Sequence, residues 1–520
     1  MTLQPTGLLK NMPYPQEESM VLLINPNFRH ANSWGLAGNR PALPLELLYV
    51  SASLDEKRIF HRIIDLWGAN KQISDFKEFI SEARIAVVNS GASYVFWRDG
   101  IIDIGPVLKN IQHIKKIKPD IKIILIGPHG TVMPEIFFET GADIIFRGEP
   151  DIALTGTIES ILNNSPILND YLSYSRSGRW IVNNSFACVD DLDKLPIIPY
   201  QKLNLNNYLW PFNPKLGKQI RTVYEASRGC IYNCKFCFKF HFRSEYRVKS
   251  IGRIEEELNS LKRLNIDYVF LIDECFGIDF RWAEKVCSSL QKRNIKWGMQ
   301  TRLEILTEDR IRLLAESGCI YIELGIESID NKILEILGKP LDLHMLNKTL
   351  YLLGKNSIIT CLFFMLGSPG ETKQTAKSIY DFILNLPLDK VIPYVKIFTP
   401  LPQTGLWKVG LEKGYRLKNW SDVPKYAGII MNDFKDPLFI KREIVRLKSK
   451  IKKKQIKLQL TCQIKNFLST NILKFLIDIA RYQIQSVLII APWLSELYQN
   501  IINSLPAVIF HWLDYNEVDS

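Results

Sequence analysis

Three cysteines, Cys230, Cys234 and Cys237, fall within eight residues of the stretch SRGCIYNCKFCFK, residues 227–239. Thiols gathered this closely bind metal as thiolates, and their number narrows the choice of metal. A closed zinc site takes four ligands, usually as two CxxC-like pairs, and the chain has no second pair. Three thiolates on one loop instead suit a [4Fe–4S] cluster in which the protein holds three irons and leaves the fourth open to a ligand. Zinc and chance clustering stand as the alternatives. The other six cysteines, Cys188, Cys275, Cys287, Cys319, Cys361 and Cys462, are scattered singly and form no disulfide framework, as expected in a reducing compartment.

Such a loop must be positioned by the elements around it. From 219 to 430 the chain alternates apolar runs near 222–226, 267–273, 295–301, 319–325, 358–366 and 391–399 with amphipathic helical patterns. Six β/α units predict a partial (β/α)6 TIM-type barrel, with its site at the carboxyl ends of the strands. The cysteine loop follows the first strand and so lies on that face.

Upstream, residues 20–165 read as a second α/β domain. Its apolar runs are continuous, as parallel strands covered on both faces require, and predict a five-stranded, doubly wound, Rossmann-like sheet. Ligands bind beyond the carboxyl ends of such strands. Four turns fall there: NPN with Asn25 and Pro26, NSGAS with Ser90, GPHGT with Gly127, Pro128 and His129, and RGEPD with Gly148 and Glu149. One glycine turn alone is ordinary loop chemistry, but four on one edge suggest a site. Residues 1–19 read as a leader, 166–218 as a small hairpin and proline-marked linker, and 431–520 as a basic, amphipathic helical region.

At 520 residues, 47% hydrophobic and 23% charged, the chain is globular and too long for one core. Its net charge of +12 is concentrated: residues 441–457 hold nine Lys or Arg against one Glu. The rest is nearly balanced, so no nucleic acid is expected. A solvated helix face is the simplest reading of the basic segment, with contact to a membrane surface or an acidic partner as its competitor. Farther on, Leu468, Ile472, Phe475, Ile479 and Tyr482 recur at helical spacing, as a packed helix or a surface anchor would. The amino terminus lacks a signal-peptide layout, and no apolar run approaches the roughly 18 residues of a membrane span. The expected location is cytoplasmic, with surface membrane association left open.

The CxxxCxxC pattern, with the aromatic Phe236 before its third cysteine, resembles the signature of the radical S-adenosylmethionine (SAM) enzymes. That resemblance implies a [4Fe–4S] cluster whose open iron is chelated by SAM, a 5′-deoxyadenosyl radical formed on reduction, and an electron donor such as flavodoxin or ferredoxin. Its later motifs imply the SAM contacts. VFLIDECFGID places Asp273 and Glu274 where the family meets the SAM amino group, and WGMQTRLEIL offers Arg302 as a carboxylate or substrate contact. YIELGIESID supplies Glu327 and Ser328 for the ribose, and Lys339 in LGKP matches a grip on the SAM carboxylate. FFMLGSPGET resembles the turn near adenine, with Gly367, Pro369 and Gly370. TPLPQTGLW resembles the strand-six turn, with Gln403 in place of the usual glycine.

The amino-terminal half is similar to the cobalamin-binding domain fused to one branch of these enzymes. PALPLELLYVSASL matches its first helix, with Glu46 where a glycine is common, and ILIGPHGTVMPEIFFETGADIIFRGEPD matches its later turns. The resemblance implies cobalamin held by Asn25, Pro26, Ser90, Gly127, Pro128, His129, Gly148 and Glu149. No Asp-x-His-x-x-Gly follows strand one, where NPNFRHANSWG has His30 without the aspartate, so no histidine lower ligand is expected. The implied activity is a B12-dependent radical SAM methyltransferase acting, through the deoxyadenosyl radical and methylcobalamin, on an unactivated carbon of a lipid, peptide or small natural product. A radical oxidoreductase similar to the anaerobic magnesium-protoporphyrin monomethyl ester cyclase is the alternative, and a non-catalytic Fe–S or corrinoid carrier is a third reading of another class.

Overall fold

The computed structural model describes residues 20–28, 41–94, 103–167, 169–176, 179–208, 220–238, 243–412, 442–447, 449–451 and 453–454. The leader 1–19, His30, Cys462 and the Leu468–Tyr482 pattern lie outside them.

Five parallel strands, β1 (Val21–Asn25), β2 (His61–Asp65), β3 (Ile85–Asn89), β4 (Lys122–Ile126) and β5 (Ile144–Phe146), stand in the order β2-β1-β3-β4-β5. β1 and β3 are buried at every residue. Alternate side chains serve opposite faces: Leu22, Ile24, Ala86 and Val88 pack with the helix Gly105–Ile117, while Val21, Leu23, Ile85 and Val87 pack with the helices Leu45–Glu56 and Ala153–Leu162. Burial on both faces is why these runs are continuously apolar. The hairpin expected in the connector, β6 (Leu172–Arg176) and β7 (Arg179–Val182), adds antiparallel to β5 and makes the sheet seven-stranded. This pairing covers the edge of a strand only three residues long, so the sheet runs past the expected limit at 165.

The second sheet is β8 (Ile220–Tyr224), β11 (Ile266–Leu271), β12 (Lys296–Thr301), β13 (Cys319–Glu327), β14 (Ile359–Leu366) and β15 (Val391–Ile397), all parallel and in chain order. Between β8 and β11 a two-strand antiparallel ribbon, β9 (Ser227–Arg228) with β10 (Arg247–Val248), brackets the cysteine loop. Five helices between strands start on side-chain caps: Ser250, Asp279, Thr307, Asp342 and Thr372 each accept from a backbone N–H of the first turn. The result is the six-unit partial barrel expected.

The basic segment is helical at 442–447 and buries Ile444, Leu447 and Ile451 in the main core. Lys454 donates to the carbonyls of Leu384 and Leu386, and the Lys450 ammonium lies 5.0 Å from the Tyr380 ring. This segment therefore packs on the barrel helix Lys373–Asn385, while Arg446 stays exposed. Among the described residues no helix is long and apolar enough to cross a membrane.

Candidate active site

The cysteine loop leaves β8 and is pinned from three directions. Gly229, at φ +90°, comes so close to the backbone of Glu245 that a Cβ would overlap it, and its N–H donates to Glu274 at 2.9 Å. The Cys230 N–H donates to the Arg243 carbonyl at 3.2 Å. On the other side, the Lys235 N–H donates to Leu337 O at 2.9 Å, and Lys235 O accepts from the Leu406 N–H at 3.0 Å. None of the three cysteines is in a disulfide. Among the described residues no three His, Cys, Asp or Glu side chains converge as a single ion needs, whereas a multi-iron cluster takes thiols farther apart.

Several residues expected to hold SAM gather at this loop from separate segments. Arg302, at the end of β12, points Nη1 at Cys234 Sγ (3.5 Å), lies 4.0 Å from the Tyr232 ring centre and pairs with Glu304 at 2.7 Å. Lys339 pairs with Glu327 at 2.9 Å, and its ammonium is 6.0 Å from the Phe236 ring centre. Burial opposes the lysine charge, but the Glu327 carboxylate and Cys234 together outweigh it and keep the ammonium's pKa above its ordinary value. A Cβ at Gly325 would overlap both Lys339 Nζ and Glu327 Oε1, so glycine is what lets this pair sit on the strand. Ser328 Oγ accepts from the Asp330 N–H beside the helix Asn331–Ile336. Gly367 and Gly370, both at positive φ, flank Ser368 and Pro369 in the turn after β14; Gly367 N–H donates to Glu371, and a Cβ at Gly370 would come within 2.8 Å of Ile336.

Asp273 and Glu274 sit at the same edge, but their side chains are turned to other work. Asp273 accepts from the Ala226 N–H at 2.9 Å and from Ser227 Oγ at 2.5 Å. Burial pushes its carboxyl up to about 7 despite those bonds. Glu274 takes the Gly229 N–H and Arg243 Nη1, both at 2.9 Å. The chain folds inward here, its buried N–H groups need acceptors, and these two carboxyls supply them. Their expected contact with SAM is thus not made ready by the side chains, and Gln300 Nε2 already takes the Asp273 carbonyl at 2.7 Å.

At the edge of the first sheet, Asn25 is buried with Nδ2 on Asp65 at 2.7 Å, and Pro26 is buried beside it. The Ser90 N–H donates to Ile126 O at 2.9 Å. Gly127, at φ +97°, leaves a cradle in which a Cβ would fall 2.7 Å from both Asn89 Oδ1 and Ser90 Oγ. Pro128 opens a short helix and His129 is fully buried within it. Asn89 Nδ2 and Ser90 Oγ are buried with no hydrogen-bond partner, which marks the cradle as a place for a polar ligand.

Gly148 and Glu149 belong elsewhere. A Cβ on Gly148, at φ +100°, would overlap the backbone of Ala187. Glu149 accepts from Arg247 at 3.0 Å, lies 3.3 Å from both Arg228 and Arg243, and accepts from the Val189 N–H at 2.7 Å. Burial alone would raise its pKa, but Arg228, Arg243 and Arg247 together outweigh burial and bring it down to about 2. Expected as cobalamin contacts, these two residues build the boundary between the domains. That boundary is a buried ionic network to which no sequence motif points. Arg228 forks onto Asp151 (2.9 and 3.0 Å) and Glu225 (2.8 Å), and Arg243 joins Glu225 (3.0 Å) to Glu274 (2.9 Å). It ties the turn after β5 to the residues that pin the cysteine loop.

A three-cysteine loop at the mouth of a partial parallel barrel defines a class: residues 224–383 match the family model of the Radical SAM superfamily, and this part of the chain is a radical SAM domain. The match to particular proteins extends over both domains. An uncharacterized methyltransferase of Pyrococcus horikoshii is 24% identical over 385 residues, covering 72% of this chain and 80% of that protein. The anaerobic magnesium-protoporphyrin IX monomethyl ester cyclase of Rubrivivax gelatinosus is 24% identical over 411 residues, covering 75% and 69%. Among solved structures, the radical SAM methyltransferase TsrM of Kitasatospora setae, seen with cobalamin and a [4Fe–4S] cluster, superposes with a TM-score of 0.62 at 17% identity, over 76% of this chain and 78% of that one. The two-domain fold is therefore shared with TsrM.

Proposed function

We propose that this chain is a B12-dependent radical SAM methyltransferase acting on an unactivated carbon of a small molecule, lipid or peptide. What carries the reading is that the pinned three-cysteine loop, ringed by Arg302, Lys339 and Glu327, is tied through one buried network to a doubly wound domain whose crevice holds partnerless polar atoms. The donor sets fit the cofactors: three cysteine thiols outside any disulfide for a cluster with one open iron, cations beside them for a carboxylate, and a glycine cradle with neutral donors for an amide-rich corrinoid. When bound, the cluster and SAM supply the radical, and cobalamin supplies a methyl carrier. The protein's own part is placement. Cys230, Cys234 and Cys237 hold the cluster, Arg302 and Lys339 orient the methionine carboxylate, Glu327 faces the ribose, and the barrel excludes water.

The cyclase reading draws on the relative from Rubrivivax gelatinosus. Product analysis separates the two. Anaerobic protein reconstituted with iron, sulfide and hydroxocobalamin, then given SAM, a low-potential reductant and candidate substrates, should release S-adenosylhomocysteine and 5′-deoxyadenosine in equal amounts while the product gains the mass of CH₂. Deoxyadenosine without S-adenosylhomocysteine, or a product that loses hydrogen or gains oxygen, would favour the cyclase.

A further inference from the structure

The order β2-β1-β3-β4-β5 reverses direction between β1 and β3, and this switch point opens a crevice beyond their carboxyl ends. Two segments meet there. Glu46 lies in the first turn of the helix that follows β1, and Ser93 in the stretch that follows β3; the Ser93 N–H donates to Glu46 Oε1 at 2.6 Å. Glu46 is only 5% exposed, and its second oxygen, Oε2, has no hydrogen-bond partner. On the β3 side, Asn89 Nδ2 and Ser90 Oγ are in the same condition, both fully buried. Leaving a buried polar atom unsatisfied costs the desolvation of that group with nothing to offset it. Three at one switch point are more than a fold leaves without a ligand to meet them.

We propose that Glu46 is a cobalamin-contacting residue, its free oxygen joining Asn89 Nδ2 and Ser90 Oγ in binding a carboxamide side arm of the corrin across the β1–β3 crevice. This rests on the reading that the domain holds cobalamin. Burial pushes the Glu46 carboxyl up from its ordinary pKa, against bonds from its own backbone and from Ser93 and against the charge of Arg243. Burial thus favours the neutral form, in which the acid donates one hydrogen bond and repels nothing. It suits the uncharged amides that rim a corrin and is ill suited to a phosphate, the usual guest of such a crevice. Asn89 also donates, so the carbonyl of the arm meets Glu46 and Asn89 while its NH₂ reaches Ser90 Oγ. The residue thus fixes which part of the cofactor this edge recognises.

Equilibrium binding of hydroxocobalamin to the full chain, followed by absorption, tests the assignment, with iron content after reconstitution as the check on the barrel. Glu46→Gln, which keeps the shape and a donor, should bind within about threefold of the wild type. Glu46→Ala and Glu46→Asp, which remove or withdraw the donor, should bind at least about tenfold more weakly while retaining the wild-type iron content. Alanine and aspartate variants that bind as tightly as the wild type overturn the assignment. A glutamine variant as weak as alanine overturns the neutral-acid role. Should the alanine variant lose its iron through misfolding, the glutamine and aspartate pair decides. A wild-type chain that takes up iron but no hydroxocobalamin overturns the cobalamin reading itself.

Discussion

The two edges where ligands are expected are prepared in opposite ways. At the barrel mouth the charged side chains already have partners: Glu327 holds Lys339, Glu304 holds Arg302, and Asp273 and Glu274 brace the cysteine loop. At the doubly wound edge, Glu46 Oε2, Asn89 Nδ2 and Ser90 Oγ have none. Paired ions are fixed in place before a zwitterion arrives, and a ligand there exchanges partners within a preset frame. Partnerless atoms instead leave part of the fold's hydrogen bonding for the ligand to complete. The barrel mouth is organised for geometry, the crevice for retention.

The largest expected effect lies at the barrel mouth. Alanine at Cys230, Cys234 or Cys237 should take iron from about four per chain to background in anaerobically reconstituted protein, while Cys287→Ala and Cys361→Ala keep it. Zinc in place of iron, with no charge-transfer absorption, would overturn the cluster. Next comes the boundary joining the two edges. Arg228→Met strands Asp151 in a buried site and takes one cation from Glu149 and Glu225, and should cost about 3–5 kcal/mol in denaturant unfolding. A loss below about 1 kcal/mol would show that water reaches the network.

A smaller, selective effect is expected from Gly325→Ala. Its Cβ displaces the Glu327–Lys339 pair and should weaken SAM binding about tenfold, read by calorimetry, with iron unchanged; unchanged affinity would remove this pair from the SAM site. The smallest concerns Glu371, whose carboxyl burial pushes up to about 8 although the Gly367 N–H opposes the shift. The folded chain keeps this proton where an unfolded chain, with an ordinary value near 4.5, has lost it. The contribution to stability is therefore full below about 4.5 and is lost as pH rises through about 8. Glu371→Gln should flatten the fall in melting temperature over that window; parallel wild-type and variant curves would count against the assignment.

Much of this was legible in the sequence because it is local. Continuous apolar runs marked the parallel strands, and the cysteine spacing marked the loop. Arg302 and Glu327 were readable at strand ends and Lys339 in the LGKP stretch after the next helix; Arg302 Nη1 lies 3.5 Å from Cys234 Sγ, and Glu327 pairs with Lys339. Asp273 and Glu274 were placed on the right edge but given the wrong neighbours, because the buried N–H groups that claim them appear only once the loop has folded inward. Glu149 was misread for a related reason. Its partners Arg228, Arg243 and Arg247 lie 79 to 98 residues farther along, and no periodicity links them.

The same separation sets an order of events during synthesis. The turn after β5, with Glu149 and Asp151, leaves the ribosome before any of the arginines that neutralise it. At roughly 5–20 residues per second, it waits on the order of 5–20 s for Arg247. During that interval the first domain cannot bury these two carboxylates with their final partners, so its last turn must stay open to water until the ribbon β9–β10 arrives. Nascent chains stalled near residue 208 should accordingly be cut by protease around 147–151 far more readily than chains stalled past 300. The amino-terminal domain begins folding first but is finished by the domain that follows it.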